Sequence, residues 1–488
     1  MITSCDEASA RLRAVPGLSC CARPLFLLPL LRTGCLSEVL TVEGADAGWA
    51  GEFGARFHAL EPYRAVRDHT SLGAGVHEVL RRIAEGDRTH GGTDSGTDGG
   101  RDPGTGVGWR GRELALLPYT AMKPEWRTAL DALGARLAEP PVQPALPVLG
   151  DKRAQRAWLR SVGVLTPRDA VVPVLDHREL RRRFGERYVV QTPLGSSGKG
   201  THLVAEEADL APIRRVGGGP WLVSGYVEGA AVNVHVLVSA DGTVRVLRPS
   251  VQLTRVEGVG APFGTYSGCD FAAPALLPAR ALSRAGVAAR RVGESLAALG
   301  YRGLFGADFV LAGEEALLLE LNCRMQGSTW LLGELELAED ALPSALRHVL
   351  ELYGHATGGE PRTDAAGAVQ LVVRHTGGPV RVAGAPGGGL HRLKDGLLQY
   401  CGAGFGLLEC GPDDCVLLQL PVPGTVLHPG VPLGRIVARY SLTTADGTAL
   451  TEQGRRLVEA LRAGFTFEPV EGLLPCAVPS AVPSAVPC

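Results

Sequence analysis

The strongest chemical signal in the chain is a pair of short strands that carry two acidic residues. The segments 303–311 and 316–324 have the apolar, β-rich pattern of strands, with a glycine-containing turn between them. A hairpin centred on Glu314 places Asp308 directly opposite Glu320. Two facing acids would repel each other, so a bound cation explains the pair better than an exposed hairpin without a ligand, which is the alternative.

The same strand continues with further polar residues on that face. The sequence Glu320-Leu-Asn322-Cys-Arg324 alternates strictly, so the amide and the guanidinium share the face of Glu320. Carboxylate and amide oxygens are hard ligands that suit Mg²⁺ bridging nucleotide phosphates. Arg324 could brace a phosphoryl group or a substrate carboxylate.

A second signal is a loop of small residues between two short strands. It runs Gln191-Thr-Pro-Leu-Gly-Ser-Ser-Gly-Lys-Gly200 and carries a single lysine, Lys199. Such a loop exposes backbone N–H groups and hydroxyls to a phosphate chain. It lacks the spacing of a Walker loop, and the alternative is a flexible hairpin tip.

The elements around these motifs predict several regions. Residues 1 to about 85 mix apolar runs with arginine-rich helical stretches, and 86–111 read as a flexible insert of Gly, Thr, Asp and Arg. A helix begins near Asp151, its expected N-cap, and apolar residues recur along it at helical spacing: Ala154, Ala157, Trp158 and Val162. Further helices are predicted over about 278–299 and 331–353. Strands and Gly/Pro turns follow to about 470, and 471–488 form a low-complexity tail.

Composition excludes several classes of protein. Of 488 residues, 45% are hydrophobic and 20% charged, with a net charge of −2, which is globular and argues against nucleic acid or an acidic membrane as partner. The early apolar run at 24–31 is too short to span a bilayer, and no signal-peptide cleavage site follows it. Eleven scattered cysteines indicate reduced thiols. We therefore expect a soluble cytoplasmic protein.

Lysine is scarce, which makes each one informative. The chain has four, against 45 arginines. Lys152 and Lys199 stand at motifs, whereas Lys123 and Lys394 read as surface residues. Two other patterns are decoys: the dinucleotide spacing at 106–111 lies in the low-complexity insert, and three C-terminal cysteines lack metal-ligand spacing and read as core residues, namely Cys401, Cys410 and Cys415.

Taken in order, the Asp-Lys at a helix start, the glycine-rich hairpin and the Asp…Glu-x-Asn-x-Arg hairpin resemble ATP-grasp ligases over about 150–355. The resemblance implies an α+β ATP-grasp fold, in which two α+β subdomains clamp ATP. It also implies an N-terminal α/β domain over 1–149, an ATP-grasp domain over 150–355 and a β-rich C-terminal domain over 356–470.

The resemblance also assigns roles to individual residues. Arg324 and Lys199 are carried over as catalytic residues. The expected metal ligands are Asp308, Glu320 and Asn322. The expected ATP-contacting residues are Lys152, Gln191, Ser196, Ser197, Gly198, Lys199, Tyr226, Val227, Glu228 and Asn233. Substrate-facing candidates, which could equally be structural, are Arg248, Gln252, Arg255 and Arg374.

The chain departs from the family pattern at two places. A lysine is usual where Gln191 stands, and glutamine cannot neutralise phosphate charge. The acidic residue of the interdomain strand is replaced around Ser224-Gly225, although Glu228 lies close by. Either nucleotide affinity is lower, or arginine and Lys199 compensate.

The resemblance implies ATP and Mg²⁺, or Mn²⁺ in its place, and a reaction that joins a small-molecule carboxylic acid to an amine, amino acid or peptide through an acyl phosphate. In character the chain resembles amino-acid and peptide ligases of actinobacterial secondary metabolism, and a homodimer is compatible with it. Two alternatives stay open: a biotin-carboxylase-like ATP-dependent carboxylase, and a nucleotide-binding protein without turnover.

Overall fold

The structure is a computed structural model that describes residues 1–13, 19–21, 24–36, 38–43, 51–61, 66–67, 113–114, 136–137, 149–195, 198–359 and 367–470. The predicted insert at 86–111, Lys123, Ser196, Ser197 and the tail at 471–488 lie outside these ranges. Among the described residues, no helix combines the length and the apolarity needed to cross a bilayer.

The N-terminal part combines helices with parallel strands, as predicted for an α/β region. Strands β1, β2 and β3 pair in that order, all parallel. The elements are α1 (Cys5–Arg13), β1 (Ser19–Cys21), α2 (Leu28–Arg32), β2 (Glu38–Glu43), β3 (Arg56–Glu61), β4 (Val66–Arg67), β5 (Glu113–Leu114) and β6 (Arg136–Leu137).

A small antiparallel sheet follows, with the order β7-β10-β8-β9. Its elements are α3 (Lys152–Ser161), β7 (Asp169–Val172), α4 (His177–Phe184), β8 (Tyr188–Gln191), β9 (Thr201–Val204), α5 (Leu210–Val216) and β10 (Trp221–Gly225). Apolar residues of α4 and α5 pack on one face of the sheet, among them Leu180 and Ile213 against Tyr188 and Val190. We call this the small sheet.

A ten-stranded sheet, the large sheet, forms the rest of the frame, in the order β15-β14-β11-β12-β13-β16-β22-β20-β18-β19. Its first half contains β11 (Ala230–Val238), β12 (Val244–Gln252), β13 (Gly268–Asp270), α6 (Ala279–Ala298), β14 (Gly303–Ala312), β15 (Glu315–Asn322), α7 (Thr329–Ala338) and α8 (Ser344–Leu352). The predicted helix at 278–299 is confirmed as α6.

The C-terminal residues supply the other half of the large sheet and three strands of a separate four-stranded sheet, β23-β17-β21-β4, whose fourth strand, β4, comes from the N-terminal part. Their elements are β16 (Val369–Arg374), β17 (Val380–Gly384), β18 (Gly389–Lys394), β19 (Leu397–Gly402), β20 (Asp414–Leu418), β21 (Val426–Leu427), β22 (Pro432–Ala438), α9 (Glu452–Ala463) and β23 (Thr466–Pro469). The β-rich character is as predicted, and α9 is an addition that the sequence reading missed.

Two helical layers cover the large sheet. Helix α6 places its alanine-rich stripe on one face, where Ala285 and Ala289 join a core with Phe305 and Phe309. Helices α7 and α8 cover the opposite face, where Trp330 is fully buried. Since strand residues alternate, Asp308 points to the α7 side, away from α6.

One prediction about the helices was wrong. The expected single helix over 331–353 is broken into α7 and α8, because Asp340 adopts a positive φ of 56° and Pro343 cannot continue a helix. Helix α3 is as predicted, and Trp158 and Val162 of its apolar stripe pack against the core. The helix also buries polar side chains, Lys152, Gln155 and Arg156, beside β15, whose outer edge needs polar partners.

Candidate active site

The hairpin β14–β15 pairs Asp308 with Glu320, as predicted, but its turn and its register differ from those expected. The turn is one residue shorter than expected: Ala312 faces Glu315, and Gly313 has the φ of +60° that favours a two-residue turn. A β-bulge at Leu319 then restores the pairing of the two acids. The predicted juxtaposition is therefore confirmed, and the regular hairpin assumed for it was wrong.

Asp308 is the centre of a hydrogen-bonded cluster. Its Oδ1 accepts from Asn233 Nδ2 at 2.5 Å and from Gln252 Nε2 at 3.2 Å, and its Oδ2 accepts from Asn322 Nδ2 at 2.9 Å. Burial and then the charge of Glu320 raise the pKa of Asp308 to about 6, while the amide hydrogen bonds oppose the shift. Bringing a cation to this face would relieve the cost of keeping both acids ionised.

Lys152 approaches Glu320 from the first turn of α3. Its Nζ lies 2.5 Å from Glu320 Oε2, and its side chain is 7% exposed. The helix starts as predicted, since the Asp151 side chain caps it by accepting from the Arg153 N–H at 2.8 Å. The Lys152 N–H donates to Pro193 O at 2.9 Å, which ties the glycine-rich loop to this helix start.

Arg324 follows the cluster at the end of β15. Its Nη2 donates to Asn322 Oδ1 at 2.9 Å and its Nη1 to Met325 O at 3.2 Å. Burial lowers the pKa of the Arg324 guanidinium, and the charges of Glu320 and Asp308 oppose this. A guanidinium in this position, beside the two acids, can meet an anionic group that enters the site.

The small sheet supplies the opposite side of the cleft. Gln191 ends β8 and its Nε2 donates to Thr201 Oγ1 at 3.2 Å. The glycine-rich loop closes through a hydrogen bond from the Thr192 N–H to Gly200 O at 2.9 Å. Lys199 lies in this loop. Gly198, with φ +82°, touches the loop between β12 and β13, where an added Cβ would lie 2.2 Å from Gly264 O.

The connector between the two sheets, 226–229, is fixed from both sides. Arg187 stacks on Tyr226 at 4.4 Å from the ring centroid and lies 3.0 Å from a carboxylate oxygen of Glu228. Arg255 donates to Tyr226 Oη at 2.5 Å and to Gly229 O. Across the described residues, no main-chain hydrogen bond uses the N–H or carbonyl of Val227 or Glu228. These groups can therefore pair with the polar edge of a ligand.

The structure divides the substrate candidates. It brings Gln252 to Asp308 and Arg255 to the connector. It does not bring Arg248 or Arg374 to the cluster: Arg248 Nη2 lies 2.9 Å from Glu339 Oε1 in a buried ion pair, and Arg374 donates to the carbonyls of Gly430 and Tyr266. Both have structural partners, the alternative that the sequence left open.

Two residues near the site escaped the sequence reading. Arg187 begins the predicted strand before the glycine-rich loop, but the sequence assigned it no role in the site. Gln326, 6% exposed, presses its amide on Gly306, where an added Cβ would lie 2.0 Å from its Oε1, and that oxygen has no hydrogen-bond partner among the described residues. Its spacing of two from Arg324 is the signal that could have identified it.

The residues present fit a hard divalent cation. Two carboxylates and an amide lie within one hydrogen-bonded set, and the buried Oδ1 of Asn233 has no partner within the described part of the chain. Within those ranges no three His, Cys, Asp or Glu side chains gather into a metal-binding group, consistent with a set that contains only two acids. Oxygen ligands without thiolate or imidazole favour Mg²⁺ or Mn²⁺ over Zn²⁺.

The remaining sequence predictions concern residues outside the cleft. Lys394 is exposed beside a turn, as predicted. Cys410 and Cys415 are buried, which confirms the prediction that they are core residues. Cys401 is exposed, so the same prediction was wrong for it. Cys401 lies on β19, the outermost strand of the large sheet, where a side chain can point to solvent.

Comparison with known proteins identifies the class. Residues 149–328 match the family model of the ATP-grasp domain, and this part of the chain is an ATP-grasp domain. The fold extends further: a biotin carboxylase from Campylobacter jejuni, solved as a β-γ-ATP complex, superposes with a TM-score of 0.56 over 93% of this chain and 92% of its own, at 12% identity. At that identity the likeness shows the fold alone.

Curated relatives match over shorter stretches. An L-propargylglycine–L-glutamate ligase from Streptantibioticus cattleyicolor is 43% identical over 93 residues, 18% of this chain and 17% of its own. A formate-dependent phosphoribosylglycinamide formyltransferase from Burkholderia pseudomallei is 32% identical over 151 residues (29% and 35%). A butirosin acyl-carrier-protein–L-glutamate ligase from Niallia circulans is 29% identical over 156 residues (30% and 34%). The match thus spans about a third of these relatives or less.

Proposed function

We propose that this protein is an ATP-dependent ligase that joins a carboxylic acid to an amine through an acyl phosphate. The observation that carries the proposal is the connected set Lys152–Glu320–Asp308–Asn322–Arg324, which places two acids, an amide and two cations at the junction of two sheets. That set matches the chemistry of phosphoryl transfer, in which charge is stabilised and no protein nucleophile is needed.

Each residue has a defined part in the proposal. Asp308, Glu320 and Asn322 would hold Mg²⁺, which would neutralise phosphate charge when bound. Lys152 and Lys199 would contact the phosphates from α3 and from the glycine-rich loop. The unpaired main-chain groups of Val227 and Glu228 would receive the adenine edge. Arg324 would orient the acid, and closure of the small sheet would exclude water from the acyl phosphate.

The acid and the amine are proposed as small molecules, with an amino acid as the amine. Two of the curated relatives have L-glutamate in their names, so this amino acid heads the list to be tested. We further propose a role in secondary metabolism, in the cytoplasm, and a homodimer as the assembly to be tested.

The test is a panel of acids and amines supplied in pairs with ATP and Mg²⁺. We expect ADP and phosphate to be released only when a matching acid and amine are both present, together with a condensation product in the mass spectrum. Bicarbonate-stimulated ATP cleavage with free biotin would replace this proposal with the carboxylase. Nucleotide binding without turnover across the panel would replace it with a non-catalytic binding protein.

A further inference from the structure

The outer edge of β15 is covered by side chains instead of another strand. β15 ends the large sheet, so half of its main-chain groups face away from β14. Gln155 makes the two hydrogen bonds that a neighbouring strand would make: its Oε1 accepts from the Leu321 N–H at 2.8 Å, and its Nε2 donates to Leu321 O at 2.9 Å. Arg156 Nη2 donates to Leu319 O at 2.9 Å.

These bonds fix the backbone on both sides of Glu320. Residue 319 is held by Arg156 and residue 321 by Gln155, while Lys152 meets the carboxylate between them. The three side chains come from one face of α3, because positions 152, 155 and 156 are neighbours on a helix. One rigid element therefore contacts the acid and both of its flanking peptides.

The loop after α3 makes a bond that distinguishes two strand registers. The run Ala316-Leu-Leu-Leu319 offers leucine at either parity, so apolar burial does not decide between the bulged hairpin and the regular one. In a regular strand, main-chain N–H groups two residues apart face the same edge. If the Leu321 N–H faces the outer edge, the Leu319 N–H would therefore face it too. Instead the Leu318 N–H faces outward and donates to Leu165 O, in the loop after α3, at 2.8 Å. That bond is made in the bulged register.

We propose that Gln155 and Arg156 are positioning residues that hold Glu320 in place for the metal–nucleotide site. The proposal rests on the proposed function, since it assumes that Glu320 binds a metal with nucleotide. Neither residue needs to touch substrate. Groups that orient a metal ligand in this way commonly change metal affinity by about 10- to 100-fold when they are removed.

Arg156 also reaches the small sheet. Its Nη1 lies 3.5 Å from Asp169 Oδ2 on β7, and both side chains are 2% exposed. Arg160, 52% exposed, pairs with the same carboxylate at 2.5 Å. Arg156→Lys keeps a positive charge beside Asp169. The lysine side chain ends in one nitrogen instead of the guanidinium fork, so it cannot pair with Asp169 and also donate to Leu319 O. Arg160→Gln is a matched control on the same helix.

The test measures metal dependence apart from turnover. ADP binding to Gln155→Met, Arg156→Lys and Arg160→Gln is titrated by calorimetry, in EDTA and at stepped Mg²⁺ concentrations. We expect the first two variants to need about tenfold more Mg²⁺ for half of the metal-dependent gain in affinity, with metal-free affinity within about twofold of the parent. Arg160→Gln should match the parent in both.

Two further measurements separate positioning from general loosening. Hydrogen exchange of the Leu321 amide should speed up in Gln155→Met while α6 amides stay protected. In a Glu320→Gln background, the two substitutions should add nothing to the Mg²⁺ requirement, because they act through Glu320.

Unchanged Mg²⁺ dependence in variants whose Leu321 amide is loosened would overturn the positioning role and leave the proposed function intact. Equal losses of ADP affinity with and without Mg²⁺ would also overturn the positioning role and leave the proposed function intact. A parent protein with no metal-dependent nucleotide binding would remove both proposals together.

Discussion

The two sides of the cleft are built in different ways. On the large sheet, the polar side chains around Asp308 bond to one another and are fixed by paired strands on both sides. On the small sheet, the glycine-rich loop is held by main-chain bonds and by a close approach of Gly198 to Gly264. The large-sheet side presents a preset group of polar side chains, whereas the small-sheet side presents a backbone surface.

The difference suggests a division of labour. Acids that hold a metal must keep fixed distances, so strands and a supporting helix suit them. A loop that covers phosphates must open and close, so glycines and few side-chain contacts suit it. Loss of an acid on the large-sheet side should therefore have the largest effect on turnover, while a substitution in the glycine-rich loop should have a smaller one.

The largest effect is expected from Glu320→Gln. Loss of one carboxylate from the metal set should lower kcat by about 10²–10³-fold, the range seen when one stabilising group leaves a reacting centre. Steady-state ADP release measures it, and circular dichroism checks the fold. Glu314→Gln is the control, since Glu314 is 59% exposed on the turn of the same hairpin and should leave kcat unchanged. A Glu320→Gln variant with unchanged activity would contradict the assignment of Glu320 as a metal ligand.

Gly198→Ala comes next. An added Cβ would press on Gly264 O and would also sit at φ +82°, so the loop must withdraw from its contact. A displacement of this order should lower kcat by about 10-fold to 100-fold. Gly217→Ala has a comparable φ of +74° with open space around it, so it should cost only stability. Equal kinetic effects of the two, read from initial rates and melting curves, would show that backbone strain and not the contact is responsible.

Arg255→Met and Arg187→Met compare the two sides directly, because both arginines hold the connector. Arg255 reaches it from the large-sheet loop at 18% exposure, and Arg187 from the small sheet at 50%. We expect the KM for ATP to rise about tenfold for Arg255→Met, equivalent to about 1.4 kcal/mol, and by less for Arg187→Met. The reverse order, in initial rates at varied ATP, would contradict the comparison.

The smallest effect, and the only gain, is expected from Gln191→Lys. A cation at the end of β8 should tighten ATP binding by about fivefold, since a partly solvated charge pair contributes about 1 kcal/mol. Adenosine affinity, measured by the same calorimetry, should stay unchanged because it has no phosphates. Tighter adenosine binding would place Gln191 beside the base.

Much of the fold could be predicted because its signals are local. The hairpin acids, the N-cap at Asp151 and helix α6 follow from alternation, capping and helical spacing, each read within about twenty residues. The roles of Arg248 and Arg374 could not, since their partners lie 91 and 56 residues away along the chain. Sequence spacing carries no information about such contacts.

The supporting role of helix α3 could not be predicted from local sequence patterns either. Its apolar spacing predicted the helix but gave no sign that Gln155 and Arg156 would be buried, because they satisfy the edge of a strand more than 160 residues away. The bulge at Leu319 was hidden for a related reason: consecutive leucines give no alternation to break. The pairing of Asp308 with Glu320 was predicted correctly because a shorter turn and an extra residue compensate each other.

The three-residue strand β13 has a mechanical consequence. It pairs with β12 on one side and with β16 on the other, so main-chain hydrogen bonds run without interruption from the β14–β15 hairpin to the C-terminal strands. Bending the protein at that seam would break ladder bonds. The strands are also tightly apposed at Gly268, where an added Cβ would lie only 1.9 Å from Gln370 O. We therefore expect the C-terminal strands to stay fixed relative to Asp308 and Glu320, so that any opening of the site would come from movement of the small sheet.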